Sequence, residues 1–264
     1  MTGILSSADL ALARRIELAN AGINARSARS MEGAAAEGFG GGWAIYAGQD
    51  SPMTHALGVG MSGPVDVAEL ERMEAFFRER GTAAVIDLSV LADESVAAFV
   101  RERPYRMLEF NNVMVRRLEP GQSGRDDSGA CIDAQPDPEE WARVVAHGFS
   151  GDPAPPPAFT SMLVTAGASV DKFVVRVEGS AAAGAAMAVH EGVVWLFGDA
   201  TIPAMRRRGL QNALIDVRVH AAAAAGCDLA AASVLPGSGS HRNYERAGFQ
   251  LLYTLVNVRR EWGE

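Results

Sequence analysis

Apolar positions along the chain fall into two runs whose periods change in the same order. In the first half, Val67, Leu70, Met73 and Phe77 recur at helical spacing behind Asp66 and Glu69, which have the spacing of a capping box, and Gly81 closes the run. Residues 83–88 then read as a strand, 93–103 as a helix and 105–118 as a long strand. In the second half, Leu210, Ala213, Leu214, Val217 and Ala221 form the corresponding stripe, with Gly226 as its C-cap. Residues 229–234 read as a strand, Ser240 as the cap of a short helix ending near Gly248, and 249–258 as the final strand. Ahead of that stripe, 171–179, 181–190 and 193–201 read as three consecutive strands, the last ended by Pro203. A helix near residues 6–21 is expected to pack on the outside of the first half.

The order repeats because the sequence does. Ser-Val-Leu stands at 89–91 and again at 233–235, 144 positions on, and at that offset Tyr105 falls on Phe249 and Leu108 on Leu252. One residue of slippage then sets Val113, Val115, Arg116 and Arg117 on Val256, Val258, Arg259 and Arg260. Between Arg117 and Trp141 the chain is polar, rich in Gly, Asp and Pro, and largely without hydrophobic period, which reads as a linker and divides the chain into 1–118 and 119–264. The Pro-rich stretch 151–159 is stiff and is expected to join two elements within the second half.

Composition narrows the function classes. With 48% apolar and 21% charged residues, the chain is an ordinary globular protein. A formal charge of -8 excludes a general nucleic-acid binder, which needs a basic surface to displace counterions, and suits a basic small molecule or peptide somewhat better. Cys131 and Cys227 have no His or Cys at metal spacing, so no metal is expected. No apolar core of a signal peptide opens the sequence, and the apolar stretch 181–196 is broken by His190 and Glu191; no membrane span and a cytoplasmic location are expected.

The segment that carries chemistry follows Pro203 and reads MRRRGLQNALI. A strand that stops at a glycine-containing turn opening straight into a helix leaves several N–H groups unpaired at the positive end of the helix dipole. Such a place attracts phosphate or pyrophosphate. Arg206, Arg207 and Arg208 add charge there, and Gly209 permits close backbone approach. Taken alone, three arginines and a glycine read equally as a solvated turn; the position between strand and helix favours an anion site.

The segment 195–249 resembles the acetyl-CoA-binding core of the GNAT superfamily. Its phosphate-loop motif, Q/R-x-x-G-x-G/A, is met by Arg206 and Gly209, with Gln211 where Gly or Ala is usual, and its Tyr-x-x-x-Gly-Phe segment by Tyr244, Gly248 and Phe249. The resemblance implies an α+β chain of two tandem GNAT-like units, each a central, mostly antiparallel sheet flanked by helices, with the N-terminal unit degenerate. It implies acetyl-CoA or another short acyl-CoA as cosubstrate, its pyrophosphate on the loop amides and its pantetheine arm in a splay between the fourth and fifth strands. The site so implied comprises Ala200, Thr201, Arg206, Arg207, Arg208, Gly209, Leu210, Gln211, Asn212 and Asn243, with Tyr244 protonating the departing thiolate.

General chemistry agrees with that role for Tyr244. A phenol is protonated at neutral pH and can hand its proton to a thiolate as an amine displaces it from a thioester. A backbone N–H near residues 199–201 could hold the oxyanion. Asp199 is the first choice for the base that deprotonates the amine, whereas Glu191, in a hairpin turn, reads as solvated. His241 and Asn243, on the short helix of Tyr244, are candidates for lining the acceptor pocket. Cys227 lacks an acid–base partner nearby, which favours direct transfer over a covalent acyl-enzyme.

In the first half the repeat offset places Ser62, Gly63 and Pro64 at the loop, without an arginine and with one N–H fewer, so this half reads as structural. It is expected to cover a sheet edge and to wall the acceptor pocket, with Trp43, Tyr46 and Phe110 as aromatic candidates whose commoner fate is core packing. Gly40, Gly41, Gly42, Gly58 and Gly60 read as turns or close backbone approaches. The expected function is N-acyl transfer to an amine of a small molecule, with neither nucleic acid nor membrane as partner and a homodimer left open. Two competitors stand beside it: a CoA-binding module without catalysis, and transfer to a protein N-terminus or side chain.

Overall fold

The computed structural model describes residues 9–49, 51–121 and 131–263. They form two compact units, Met1–Val113 with Leu251–Glu264, and Met114–Gln250.

The first unit contains α1 (Leu10–Arg29), the strands β1 (Ala35–Phe39), β2 (Gly42–Tyr46) and β3 (His55–Leu57), α2 (Val67–Arg78), β4 (Ala84–Ser89), α3 (Glu94–Arg101) and the start of β5 (Arg106–Arg117). β1, β2 and β3 pair antiparallel in sequence, and β3 then runs parallel to β4. The second unit contains β6 (Cys131–Asp133), α4 (Pro138–Ser150), α5 (Pro157–Ala166), β7 (Asp171–Val177), β8 (Ser180–His190), β9 (Val193–Thr201), α6 (Leu210–Ala224), β10 (Leu229–Val234) and α7 (Gly239–Arg246). β7, β8 and β9 again form an antiparallel meander, and β9 runs parallel to β10. The duplication seen in the sequence is therefore one of topology: three-strand meander, helix, parallel strand, short helix, long strand.

The long strands are exchanged. The last strand, β11 (Gln250–Arg260), closes the second repeat in sequence but pairs antiparallel with β4 of the first unit, from Leu255↔Ser89 to Arg260↔Ala84, and buries Val258 among Phe77, Ala84 and Ile86. The end of β5 conversely places Met114 in the core of the second unit, and Leu118 N–H donates to Asp228 O there at 2.8 Å. A linear cut at 118/119 thus differs from the structural division, because apolar side chains of each repeat's last strand complete the other unit.

Several local expectations are corrected. Asp66 caps α2 by accepting from Ala68 N–H at 2.7 Å, but Glu69 accepts from Gly40 N–H at 2.7 Å and so holds the β1–β2 turn instead of closing a capping box. α1 starts behind Asp9 and runs to Arg29, beyond the expected end at 21, because Ile23, Ala25 and Ala28 continue its buried face; residues 6–8 of that expectation lie outside the described residues. Ser238, not Ser240, caps α7, accepting from His241 N–H at 3.0 Å. The polar linker contributes β6, which pairs with β7 and whose Asp133 meets Arg176 at 2.9 Å; residues 122–130 lie outside the described residues.

Small residues let helices approach the second sheet closely. Ala182, Ala183, Ala185 and Ala186 of β8 are buried, and a Cβ on Gly184 would come within 2.9 Å of Val144 and Val145 of α4. In the first unit a Cβ on Gly42 would lie 2.2 Å from Leu57 O, the close backbone approach expected of that glycine cluster. Trp43 and Tyr46 pack beside the first unit's core, whereas Phe110 is exposed.

Candidate active site

β9 ends at Thr201, and after one 3-10 turn the chain enters a loop that opens into α6. Arg206 is extended, Arg207 is left-handed at φ 65° and Gly209 left-handed at φ 77°. Left-handed residues alternating with ordinary ones turn successive N–H groups toward one side and form an anion-binding nest. Among the described residues, nothing accepts from the N–H groups of residues 207–212. Residues 206–209 are exposed. The loop faces a cavity of about 620 Å³.

Of the expected site residues, Asp199, Ala200, Thr201, Arg206, Arg207, Gly209, Leu210, Gln211, Asn212 and Asn243 line this cavity; Arg208 and Tyr244 do not. Two of the lining side chains do something other than wait for a ligand. Arg206 donates to Thr201 O at 3.2 Å and to Gly148 O at 2.9 Å, which braces the end of α4 against the end of β9. Gln211 donates to Ser240 Oγ at 2.8 Å and accepts from Asn243 Nδ2 at 2.7 Å, so it locks α6 to α7. That sideways bridge accounts for a glutamine where the resembled motif has Gly or Ala. His241 accepts from Gly237 N–H at 3.0 Å and turns back on its own loop, outside the cavity lining.

Next to the cavity β9 loses its partners on both sides. Its parallel pairing with β10 covers only Leu229↔Val193 to Ala231↔Trp195; beyond that the register ends, at the splay the resemblance implies. Toward β8, Gly184 pairs with Ala200 and Ala186 with Phe197, so β9 carries one extra residue, a bulge absorbed by Gly198 at φ 69°. The bulge disturbs the ladder, and side chains take up nearby carbonyls. Trp141 of α4 donates to Ala185 O at 2.9 Å, while Arg218 of α6 donates to Ala186 O at 2.8 Å and Phe197 O at 3.3 Å.

Arg218 is fully buried and also donates to Leu214 O at 2.8 Å. Its remaining arm forms an ion pair with Asp199 Oδ1, and Asp199 Oδ2 accepts from the Tyr244 hydroxyl at 2.7 Å. Tyr244 is buried, edge-on to Phe249. Burial first, and the Asp199 carboxylate second, push its phenol well above the ordinary value, so it stays protonated. Asp199, the sequence's first choice for a base, therefore stands as the counter-ion of Arg218 with both oxygens engaged.

Sequence reasoning missed three arginines here. Arg218 sits four residues after Leu214 on the buried face of α6, and a lone arginine inside an apolar stripe was its signal. Arg242 and Arg246 line the cavity from α7, and their spacing of four on a short helix was theirs.

The corresponding turn of the first unit is spent on its own backbone. Gly60 N–H donates to Gly40 O, Met61 N–H to Gly58 O, Gly63 N–H to Gly60 O and Val65 N–H to Ser95 Oγ, and Pro64 has no N–H. Residues 58–61 are buried. Among the described residues no three His, Cys, Asp or Glu gather as a metal site requires, and no helix is long and apolar enough to cross a membrane.

No family model matches the sequence, and no curated protein matches it. Solved structures do. A GCN5-related N-acetyltransferase from Kribbella flavida is similar over 96% of each chain, at 20% identity and a TM-score of 0.70. A tandem GNAT protein from the clavulanic acid biosynthesis pathway is similar over 98% of each chain, at 12% identity and a TM-score of 0.61. A GCN5-related N-acetyltransferase from Sphaerobacter thermophilus is similar over 78% of this chain and 71% of its own, at 16% identity and a TM-score of 0.57. At these identities the likeness is one of fold: the chain has a tandem GNAT fold, with helices flanking mixed sheets.

Proposed function

We propose that this chain is an acyl-CoA-dependent N-acyltransferase that moves an acetyl or other short acyl group directly from CoA to an amine of a small molecule, in the cytoplasm. The observation that carries the reading is the nest of undonated N–H groups at residues 207–212, exposed, at the head of α6 and facing a cavity beside the β9–β10 fork. A diphosphate matches that nest in charge and geometry, and the fork offers the pantetheine arm a way in. The amine attacks the thioester carbon, a backbone N–H near residues 199–201 takes the oxyanion, the C–S bond breaks and the thiolate collects a proton.

Tyr244 is the proton donor in this reading. Its hydroxyl rests on Asp199, so it turns to the sulfur before giving up the proton, and the Arg218 cation beside it opposes the rise in its pKa. Asp199 is left out of the amine's proton path, because Arg218 already claims it. One observation favours the second reading, a CoA-binding module without catalysis: Tyr244, Asp199 and Arg218 satisfy one another in a closed chain.

A continuous thiol assay with acetyl-CoA and a panel of small amines separates the two, run beside calorimetric titration of CoA. Amine-dependent release of CoA supports the transferase. Saturable CoA binding without release leaves the module, and no CoA binding sinks both.

A further inference from the structure

The cavity at the head of α6 holds more positive charge than a diphosphate calls for, in a chain of formal charge -8. Arg206, Arg207, Arg242 and Arg246 all line it. Arg206 is committed to two carbonyls and Arg207 belongs to the nest, which leaves the pair on α7 to explain. Arg242 and Arg246 lie one turn apart and so rise from one face of the helix. Each uses a single Nη1 locally, Arg242 on Gly237 O at 2.7 Å and Arg246 on Asn243 Oδ1 at 2.8 Å. Those bonds orient the guanidinium groups without neutralising them.

Among the described residues no carboxylate comes within ion-pair distance of either, whereas Arg103, Arg176 and Arg260 each meet one. The Gln211 bonds to Ser240 and Asn243 fix α7 against α6, so the pair stands at a set reach from the nest. Two oriented, uncompensated guanidinium groups beside a diphosphate site match a second anion on the same ligand.

We infer that Arg242 and Arg246 form an anion subsite for the phosphomonoester that CoA carries on its ribose. The inference rests on the acyl-CoA reading above and deepens it: the nest takes the diphosphate, and the α7 pair selects the ribose-phosphorylated cofactor over its dephosphorylated form. A phosphomonoester brings close to two negative charges and three acceptor oxygens, which the remaining guanidinium N–H groups meet with charge-assisted bonds.

Calorimetry with CoA and with dephospho-CoA tests this on the wild type and on the double variant Arg242→Gln/Arg246→Gln. Both residues are exposed, and an unchanged melting temperature checks that the variant is folded. The wild type is expected to bind dephospho-CoA about tenfold more weakly than CoA, and the double variant to lose about tenfold for CoA but nothing for dephospho-CoA. Equal affinity of the wild type for the two ligands overturns the inference while the acyl-CoA reading stands. An equal loss for both ligands in the variant also overturns it, since that is the mark of a diffuse field. If neither ligand binds the wild type, the acyl-CoA reading falls and the subsite with it.

Discussion

Arg218→Met tests the buried chain that holds the β9 bulge. The substitution keeps an apolar side chain of similar reach in α6 but removes a cation that is 0% exposed, leaving Asp199, whose side chain is 9% exposed, without its counter-ion. Ala186 O and Phe197 O lose a donor at the same time. Removing one partner of a buried pair costs about 3–5 kcal/mol, because the other charge stays in a poorly solvated place. In a chain of this size a loss of about 4 kcal/mol lowers the melting temperature by about 8–16 °C.

The sign of the coupling separates a charge effect from lost packing. Asp199→Asn alone strands the arginine, but it keeps an oxygen for the Tyr244 hydroxyl. The double variant Arg218→Met/Asp199→Asn strands neither group, so its loss is expected to be smaller than the sum of the two single losses by about 2 kcal/mol. Urea unfolding of the wild type, both single variants and the double variant gives the cycle. Additive losses, within about 0.5 kcal/mol, would refute the ion-pair account and leave Arg218 as a mere space filler.

Tyr244→Phe is expected to leave CoA affinity within about twofold and to slow turnover about a hundredfold, measured by calorimetry and the thiol assay; an equal loss in both would remove Tyr244 from proton transfer. Gly209→Val places a branched side chain at φ 77°, a left-handed conformation costing about 1–3 kcal/mol, so the loop should leave its nest geometry and CoA affinity fall about tenfold, with affinity unchanged as the refuting result. In the first unit, Glu17 is fully buried, with Tyr253 on one carboxyl oxygen and no partner for the other, and burial raises its pKa from 4.5 to about 7. The folded state then holds this proton more tightly than the unfolded chain, so stability is full below pH 4.5 and falls as pH rises through 7, by about 3 kcal/mol in all. Glu17→Gln should flatten that fall between urea midpoints at pH 5 and pH 8; a slope like that of the wild type would rule the residue out as its source.

How far the fold could be read in advance depended on whether the deciding contacts were local. Strand and helix periods placed α2, β4, α3 and β7 to β10 within a few residues, because each element's buried face repeats at its own period. Caps were less legible. Glu69 has the spacing to reach back to Asp66 but meets Gly40, twenty-nine positions away in sequence, and Ser240 is claimed by Gln211. The strand exchange was hidden for the same reason, since nothing local in residues 250–260 says which sheet their valines enter. At the site, backbone requirements were visible in the glycine and the strand-to-helix order. Side-chain commitments were not, because Arg206, Gln211 and Asp199 find their partners across the fold.

The two units together show what separates a phosphate-binding turn from a structural one. Both place a glycine-containing turn between the last strand of a meander and a helix, so topology alone provides the site twice. In the first unit the turn folds back on itself: Gly60, Met61, Gly63 and Val65 already donate, and a Cβ on Gly60 would lie 2.6 Å from Val96, so no room is left over that backbone. In the second unit Arg207 and Gly209 take left-handed conformations, the N–H groups of the following residues stay undonated, and nothing lies within 4 Å of a Cβ on Gly209. The difference is therefore one of hydrogen bonds already made against hydrogen bonds left open. An anion competes for the second set with water alone, while at the first it would have to displace the protein's own carbonyls, which is why a single phosphate loop is expected from a duplicated fold.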